Sequence, residues 1–372
     1  MKLRAAALAT ALLAAAPALA SPPRVGGRAY YVENAATGEV LLQRGASERV
    51  PIASITKLMT VLVTLEHASL DDVVRVRRAA AAVGESSINL RAGERLTVRE
   101  LVQAALIQSA NDAAVALAQY VGRGSIARFV ALMNEKARTL GLRDTHFVNP
   151  DGLDAVGHYS SARDVTALAT VAMRNPTIRR VVRRTQARIS GGRLLHTWND
   201  LLETFPNLIG VKTGHTSRAG WSEVAAARGP GVTIYATLLG EPSRTQRNAD
   251  LAALLTWGLS RYQHVAVVRR GRAYARATAP WGKRPLFLVA RRRLVRVVRV
   301  DHPLVERVVA PVVVSLPILR GQVLGEVRVY DRGRLIAREP LVAARSISRP
   351  DLLGRLGWYA KRTVHHIWSW VT

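Results

Sequence analysis

Ser54-Ile55-Thr56-Lys57 lies within the run Pro51-Ile52-Ala53-Ser54-Ile55-Thr56-Lys57-Leu58-Met59-Thr60, at the start of a stretch that reads as a helix to about His67. A spacing of three puts the serine hydroxyl and the lysine amine on one helical face, about one turn apart. A lysine buried beside another cation loses basicity, because desolvation and like charge both disfavour the ammonium. As a neutral amine it can take the proton of a serine hydroxyl that is otherwise a poor nucleophile. Four residues alone do not make a site. On their own they read better as an N-capping serine and a surface lysine.

Two later motifs change that reading. Ser109-Ala110-Asn111 falls between two expected helices, where the hydroxyl can relay a proton and the amide can hold a peptide carbonyl and help position Lys57. By itself this is a helix cap. Lys212-Thr213-Gly214 follows Leu208-Ile209-Gly210-Val211 on an expected strand, and Gly214 leaves room for a peptide to lie along that edge. By itself this is a solvated strand end and turn. Together, in this order, the three form the set shared by penicillin-binding proteins and class A β-lactamases.

The surrounding sequence fits an α+β domain. Ala29 to Asn34 and Glu39 to Arg44 read as a hairpin turning at Thr37-Gly38. Thr97 with Glu100 predicts a capping box for a helix through Ile107, and helices are expected over Asn111 to Val121, Ala162 to Met173 and Arg247 to Gly258. Val232 to Leu239 reads as a strand. After His264, β-branched runs separated by Gly and Pro (Leu286 to Ala290, Leu294 to Val300, Val308 to Leu316, Gly325 to Tyr330) predict a small all-β sandwich or barrel. The expected division is a leader over 1–20, a peptidase domain over 21–263, a β-rich domain over 264–349 and a tail helix over 350–372.

The whole chain of 372 residues carries a net charge of +28 and no cysteine, which excludes disulfides, thiol nucleophiles and thiolate metal sites. Between 264 and 349 there are 19 Lys/Arg against 5 Asp/Glu, about half of the excess. Such charge attracts polyanions. The N-terminus argues against nucleic acid as the partner: Lys2 and Arg4 precede an apolar run to Ala16, and Ala18-Leu19-Ala20 offers a cleavage site before Ser21. A retained N-terminal anchor is the other reading of that run. In the tail, Leu353, Leu356, Ala360, Val364, Ile367 and Val371 project to one side, widened by Leu352, Tyr359, Trp368 and Trp370. Arg355, Lys361, Arg362, His365 and His366 occupy the other side, where only Trp358 intrudes. This is the composition of a helix lying in an anionic membrane surface, or else of one packed on its own domain.

The chain resembles the low-molecular-mass penicillin-binding proteins of the D-alanyl-D-alanine carboxypeptidase type, serine peptidase family S11. Beyond the three motifs, Asn149-Pro150-Asp151-Gly152-Leu153, Tyr159-Ser160-Ser161-Ala162-Arg163-Asp164 and Val211-Lys212-Thr213-Gly214-His215-Thr216 look like the family's later blocks, and the similarity runs from about Ala29 to Gly258. One departure is Ala110, where relatives often carry glycine or aspartate. The resemblance implies a penicillin-binding/β-lactamase-like transpeptidase domain, an antiparallel sheet with helices, followed by the all-β sandwich and an amphipathic C-terminal helix. It implies Ser54 as nucleophile on the bond between two D-alanines, Lys57 as general base, and Ser109 with Asn111 in proton transfer and substrate holding. Lys212 would keep Lys57 weakly basic and, with Thr213 and Gly214, meet the substrate. The N–H groups of Ser54 and His215 would form the oxyanion hole, and Arg247 matches a second carboxylate-binding position, though a surface helix arginine is equally consistent with it. It further implies a role in peptidoglycan remodelling and cell shape, trapping by β-lactams, and a periplasmic address at the outer face of the cytoplasmic membrane.

No metal or other cofactor is expected. The nine histidines contain no H-E-x-x-H, and His158 and His196 read as structural or rim residues. Three rivals remain: an endopeptidase on cross-links, which uses the same site; a β-lactamase, for which Asp151 or Asp154 would have to activate water; and an inactive wall-binding protein, which would usually lack Ser54 or Lys57.

Overall fold

Side chains along the Val232–Glu241 strand alternate between two cores, as the two-residue repeat of an extended chain requires. Tyr235 and Leu239 join the core of a helical body, and Thr237 Oγ1 lies 2.6 Å from Thr166 Oγ1 of the helix Ala162–Ala172. Ile234, out of phase with them, packs at Gly258 of the helix Arg244–Ser260. The sheet has five antiparallel strands in the order Glu39–Arg44, Ala29–Asn34, Val232–Glu241, Gly220–Gly229, Leu208–Thr216. With both faces covered, its strands read as apolar runs, and Val224-Ala225-Ala226-Ala227 is fully buried.

This computed structural model describes residues 5–11, 21–281 and 283–368, in two compact units that divide between Ser260 and Arg261. In the first unit the helix Lys57–His67 buries every residue from Lys57 to Thr64, so it runs through the centre of the body. Asn111–Val121 is buried almost as completely. Around them lie helices with one apolar face. In Ile126–Thr139 that face is Phe129, Met133 and Ala137, four residues apart, and Ser125 caps the first turn. The capping box at Thr97 forms as expected, with both reciprocal bonds to Glu100.

Three details bear on chemistry. Ser54 sits in a 3-10 turn, Ala53–Thr56, and the α-helix begins only at Lys57. The helix after Thr97 does not continue as α through Ile107: Val98–Gln103 widens into a π turn over Ala104–Gln108, closed by Ser109 N–H on the Ala104 carbonyl, which also accepts from Ala110 N–H. Ser109 then adopts a left-handed conformation (φ 64°, ψ 29°), which a non-glycine residue takes only where its surroundings hold it. Finally the Asn149–Leu153 loop is pinned to the nucleophile helix. Asn149 Oδ1 accepts from Gly152 N–H, and Thr60 Oγ1 donates to the Pro150 carbonyl.

In the second unit six strands run in the order Ala5–Ala11, Leu304–Pro311, Val323–Asp331, Arg334–Ala343, Leu286–Ala290, Ala273–Ala277. A ribbon of Tyr262–Val268 with Leu294–Arg299 packs on them around Val268, Leu288, Val327 and Leu341. The strand expected over Val308 to Leu316 begins earlier and ends at Pro311. Arg334–Ala343 escaped the sequence reading because charges and Pro340 interrupt it. Pro340 is tolerated because Leu286–Ala290 pairs only with Leu341 to Ala343, leaving that side of residue 340 free. Of the leader expected over 1–20, Ala5–Ala11 forms the edge strand, while 1–4 and 12–20, like 369–372 of the tail, lie outside the described residues. The tail forms the helix Leu352–Trp368.

Gly152 has φ +88°, and a Cβ there would lie 2.0 Å from the Ala53 carbonyl oxygen. Gly152→Ala is therefore expected to lower stability by about 3 kcal/mol or more, read as a melting shift of roughly 6 °C or more. A variant melting with the wild type would show that this loop is not clamped to the Ser54 turn.

Candidate active site

Lys57 arrives at the site buried on all sides, and its Nζ meets three oxygen atoms: Ser54 Oγ at 2.6 Å, Asn111 Oδ1 at 2.7 Å and the Asp151 carbonyl at 2.8 Å. Three different elements supply these partners. The 3-10 turn places Ser54, the residue after the π turn opens the helix at Asn111, and the clamped 149–153 loop brings Asp151. Asn111 Nδ2 donates to the Gly84 carbonyl, which fixes its oxygen towards Lys57.

Burial pushes the Lys57 amine down to about 7, against the opposing pull of the Asp151, Glu85 and Asp112 carboxylates. A neutral amine has two N–H bonds and one lone pair. Asn111 Oδ1 and the Asp151 carbonyl can only accept, so they take the two N–H groups. Ser54 is the one partner able to donate, so the lone pair falls to its hydroxyl. The arrangement therefore poises a base on a serine.

The second lysine lies across the site. Lys212 Nζ donates to Ser109 Oγ at 2.9 Å and to the Thr213 carbonyl at 2.8 Å. It too is fully buried, and burial together with the Lys57 charge holds it well below the ordinary lysine range. The sequence contains only six lysines among 54 basic residues, and two of them occupy these buried positions. Arginine cannot lose its proton in a protein, so an arginine-rich chain that keeps lysine here carries a signal the motif reading passed over.

Gly214 is also required by packing. A Cβ there would lie 2.7 Å from the Ile52 carbonyl and 3.2 Å from Ala53 Cβ, so the strand needs glycine to lie against the turn that carries Ser54. This packing of the sheet on the nucleophile turn is a second demand for glycine, beside the room for a peptide expected from the sequence. His215 is exposed and stacks on Trp221, with ring centroids 4.1 Å apart.

Arg247 is not a surface arginine. Its side chain is 1% exposed, with Nε 3.2 Å from Glu223 Oε2 and the guanidinium hydrogen-bonded to Asn248 Oδ1. Glu223 stands opposite Thr213 in the strand register, so Arg247 approaches the Lys212-Thr213-Gly214 strand through its buried partner. Burial raises the Glu223 carboxyl to about 7 in spite of Arg247 and Lys212. Asp200 adds a second carboxylate, 3.6 Å from Arg247 and ion-paired with Arg244.

Several supporting residues carry no motif. Asp112 accepts from Ser87 Oγ and from the Ile88 and Leu90 N–H groups, and so fixes the loop beside Asn111. His158 accepts from Val148 N–H through Nδ1, which leaves Nε2–H to donate to Thr56 Oγ1 at 2.8 Å; burial holds this ring neutral, down to about 4. Asp154 is taken up by Thr216 Oγ1 and Arg218 N–H. No cluster of three or more potential metal ligands occurs among the described residues.

The chain is similar to known proteins over most of its length. A curated D-alanyl-D-alanine carboxypeptidase, DacF of Bacillus subtilis, is 30% identical over 88% of this chain and 86% of its own length. DacD of Escherichia coli is 30% identical over 91% of both. Among solved structures, the D-alanyl-D-alanine carboxypeptidase DacD from Francisella tularensis aligns with a TM-score of 0.64 and 26% identity, over 91% of this chain and 98% of that one. The Streptomyces K15 DD-transpeptidase aligns at 0.61 and 32% identity, over 65% of this chain and all of that one. The family model described as D-alanyl-D-alanine carboxypeptidase matches residues 16–243, which contain Ser54, Lys57, Ser109 and Lys212, and with that match the chain belongs to this family of serine peptidases.

Proposed function

We propose that the chain is a serine D-alanyl-D-alanine carboxypeptidase that removes the terminal D-alanine from peptidoglycan stem peptides through an acyl-enzyme on Ser54. The observation that carries the reading is the Lys57 amine, whose two obligate acceptors leave its lone pair to the Ser54 hydroxyl. Lys57 takes the hydroxyl proton as Ser54 Oγ attacks the carbonyl between the two D-alanines. The oxyanion is held by the Ser54 and His215 N–H groups. The C–N bond then breaks, and the leaving amine receives its proton through Ser109, whose hydroxyl is held by Lys212. Asn111 holds the peptide while keeping Lys57 in place. Thr213 and Lys212 meet the terminal carboxylate, and Arg247 supports them through Glu223 as a positioning residue. Water hydrolyses the acyl group, and β-lactams acylate the same serine.

The proposal extends to location. Lys2, Arg4, the apolar run to Ala16 and the Ala18-Leu19-Ala20 site support export through a leader whose cleavage would remove the Ala5–Ala11 strand, and the amphipathic tail supports attachment to an anionic membrane surface in the periplasm. No helix among the described residues is long and apolar enough to cross a membrane.

Ser54→Ala is expected to abolish both labelling by a fluorescent penicillin and D-alanine release from a pentapeptide, by about 10³-fold or more. Lys57→Arg should do the same, since a guanidinium cannot accept the proton; full activity in either variant would sink the mechanism. The rate of acylation should fall as the pH drops through about 7, approaching tenfold per unit below it, because the working form of Lys57 is the neutral one. A flat profile from pH 5 to 8 would contradict that role. N-terminal sequencing of the exported protein should begin at Ser21; a retained Met1 would show an uncleaved anchor.

A further inference from the structure

Three loops of the β-rich unit come together at the end from which the tail helix departs. Thr278 N–H donates to the Val312 carbonyl, and Val314 N–H donates back to Thr278, joining the 278–285 loop to the 312–322 loop. Ile318 and Ile347 exchange backbone bonds, and Arg349 Nε donates to the Leu316 carbonyl, which ties in the 344–351 segment leading to the helix. Arg345 reaches the Arg284 carbonyl and closes the group.

This end is apolar where it is exposed. Val312, Val313 and Leu319 are 51%, 60% and 70% exposed, and none has a partner within the unit's core. Scattered apolar residues on a surface need no explanation, but these share one end with Trp281 and are flanked by Lys283, Arg284, Arg320, Arg345 and Arg349. Asp351 is the one acidic residue in the three segments, and its side chain is occupied with Gly354 N–H.

The way the helix rests on this end is informative. Trp281 meets Trp358 and Tyr359 edge-on at centroid distances of 5.5 and 5.6 Å, and Arg355 lies over the Trp281 ring. Trp358, the one large apolar residue on the helix's basic side, is therefore the residue on which the helix seats. The stripe of Leu352, Leu353 and Leu356 turns away from the unit and stays 65–79% exposed.

We infer that the loop end of the β-rich unit is itself a membrane-contact surface. Val312, Val313 and Leu319 enter the interface of an anionic bilayer while the flanking basic residues meet its phosphates, and Trp281 holds the tail helix beside them. An apolar tip ringed by cations matches a surface that offers acyl chains beneath negative headgroups. The inference deepens the reading of the tail as a membrane helix and adds a second contact that does not pass through it.

The test uses the full chain and vesicles of phosphatidylglycerol with phosphatidylethanolamine, read by co-sedimentation. Val313→Asp with Leu319→Asp should weaken binding about tenfold or more. Lys283→Glu with Arg320→Glu should weaken it comparably at low salt and have less effect at high salt. Leu353→Asp with Leu356→Asp in the helix should leave residual binding that the loop substitutions then remove. An unchanged melting curve and unchanged penicillin labelling confirm that each variant is folded. If both loop variants bind vesicles like the wild type, the inference is overturned, and loss through the helix variant alone leaves only the tail as anchor. Binding unchanged by the helix variant but lost with the loops refutes the tail reading and keeps this one.

Discussion

An ammonium group taken out of water costs several kcal/mol, and Lys57 is taken out completely. The chain meets this constraint by letting the amine go neutral near pH 7 and surrounding it with oxygen atoms that define where its lone pair points. Much of the catalytic domain's local irregularity serves that arrangement. The 3-10 turn before the helix sets Ser54 one turn back from Lys57, and the π turn delivers Ser109 and Asn111 from a segment that ordinary α geometry would have carried past. The loop clamped at Gly152 supplies a carbonyl where a side chain would have had rotamers to lose. Nearby carboxylates at Asp151, Glu85 and Asp112 oppose the fall in basicity, so the amine keeps its affinity for a proton near neutrality.

The sequence disclosed the parts that depend on periodicity and residue identity. The hairpin at Gly38, the capping box at Thr97 and the helix from Asn111 follow from local chemistry, and the three motifs named the groups that meet around Lys57. What stayed hidden depends on packing between distant segments. Nothing local marks Ala104–Gln108 as a π turn, whose bond joins Ser109 N–H to the Ala104 carbonyl. The packing demand at Gly214 leaves no local trace because its neighbour, the Ile52–Ile55 turn, is remote in sequence. For Arg247 the sequence leaves a carboxylate-binding position and a helix-surface arginine both open, because its buried partner Glu223 lies on a distant strand of the sheet. Strands such as Arg334–Ala343 were missed because an arginine-rich surface blurs the alternation by which strands are recognised.

The two units use charge differently. In the β-rich unit the acidic side chains are drawn into arginine pairs: Asp301 with Arg299 and Arg261, Glu306 with Arg272, and Glu326 with Arg328 and Arg338. The excess is left on the surface, where it is a long-range attraction for anionic partners and is weakened by salt. In the catalytic domain the decisive charges are buried and few. They act over single hydrogen bonds, and there the choice of lysine over arginine matters because only one of the two can be a base.

The close approach of Gly214 to the Ile52–Ile55 turn has a further consequence. Ser54 and Lys57 belong to the helical body and Lys212 to the sheet, so the site exists only while the seam between them is shut. That seam is packed as well as hydrogen-bonded, since Ile55 and Leu58 share one core with Val211, Val224 and Tyr235 and Lys212 reaches Ser109 across it. Nucleophile, base and sheet lysine are therefore carried by one cooperative body, and turnover would be lost on warming together with the fold. Residue 214 thus ties the register of the sheet to the position of the nucleophile, so that a side chain there would displace Ser54 from Lys212.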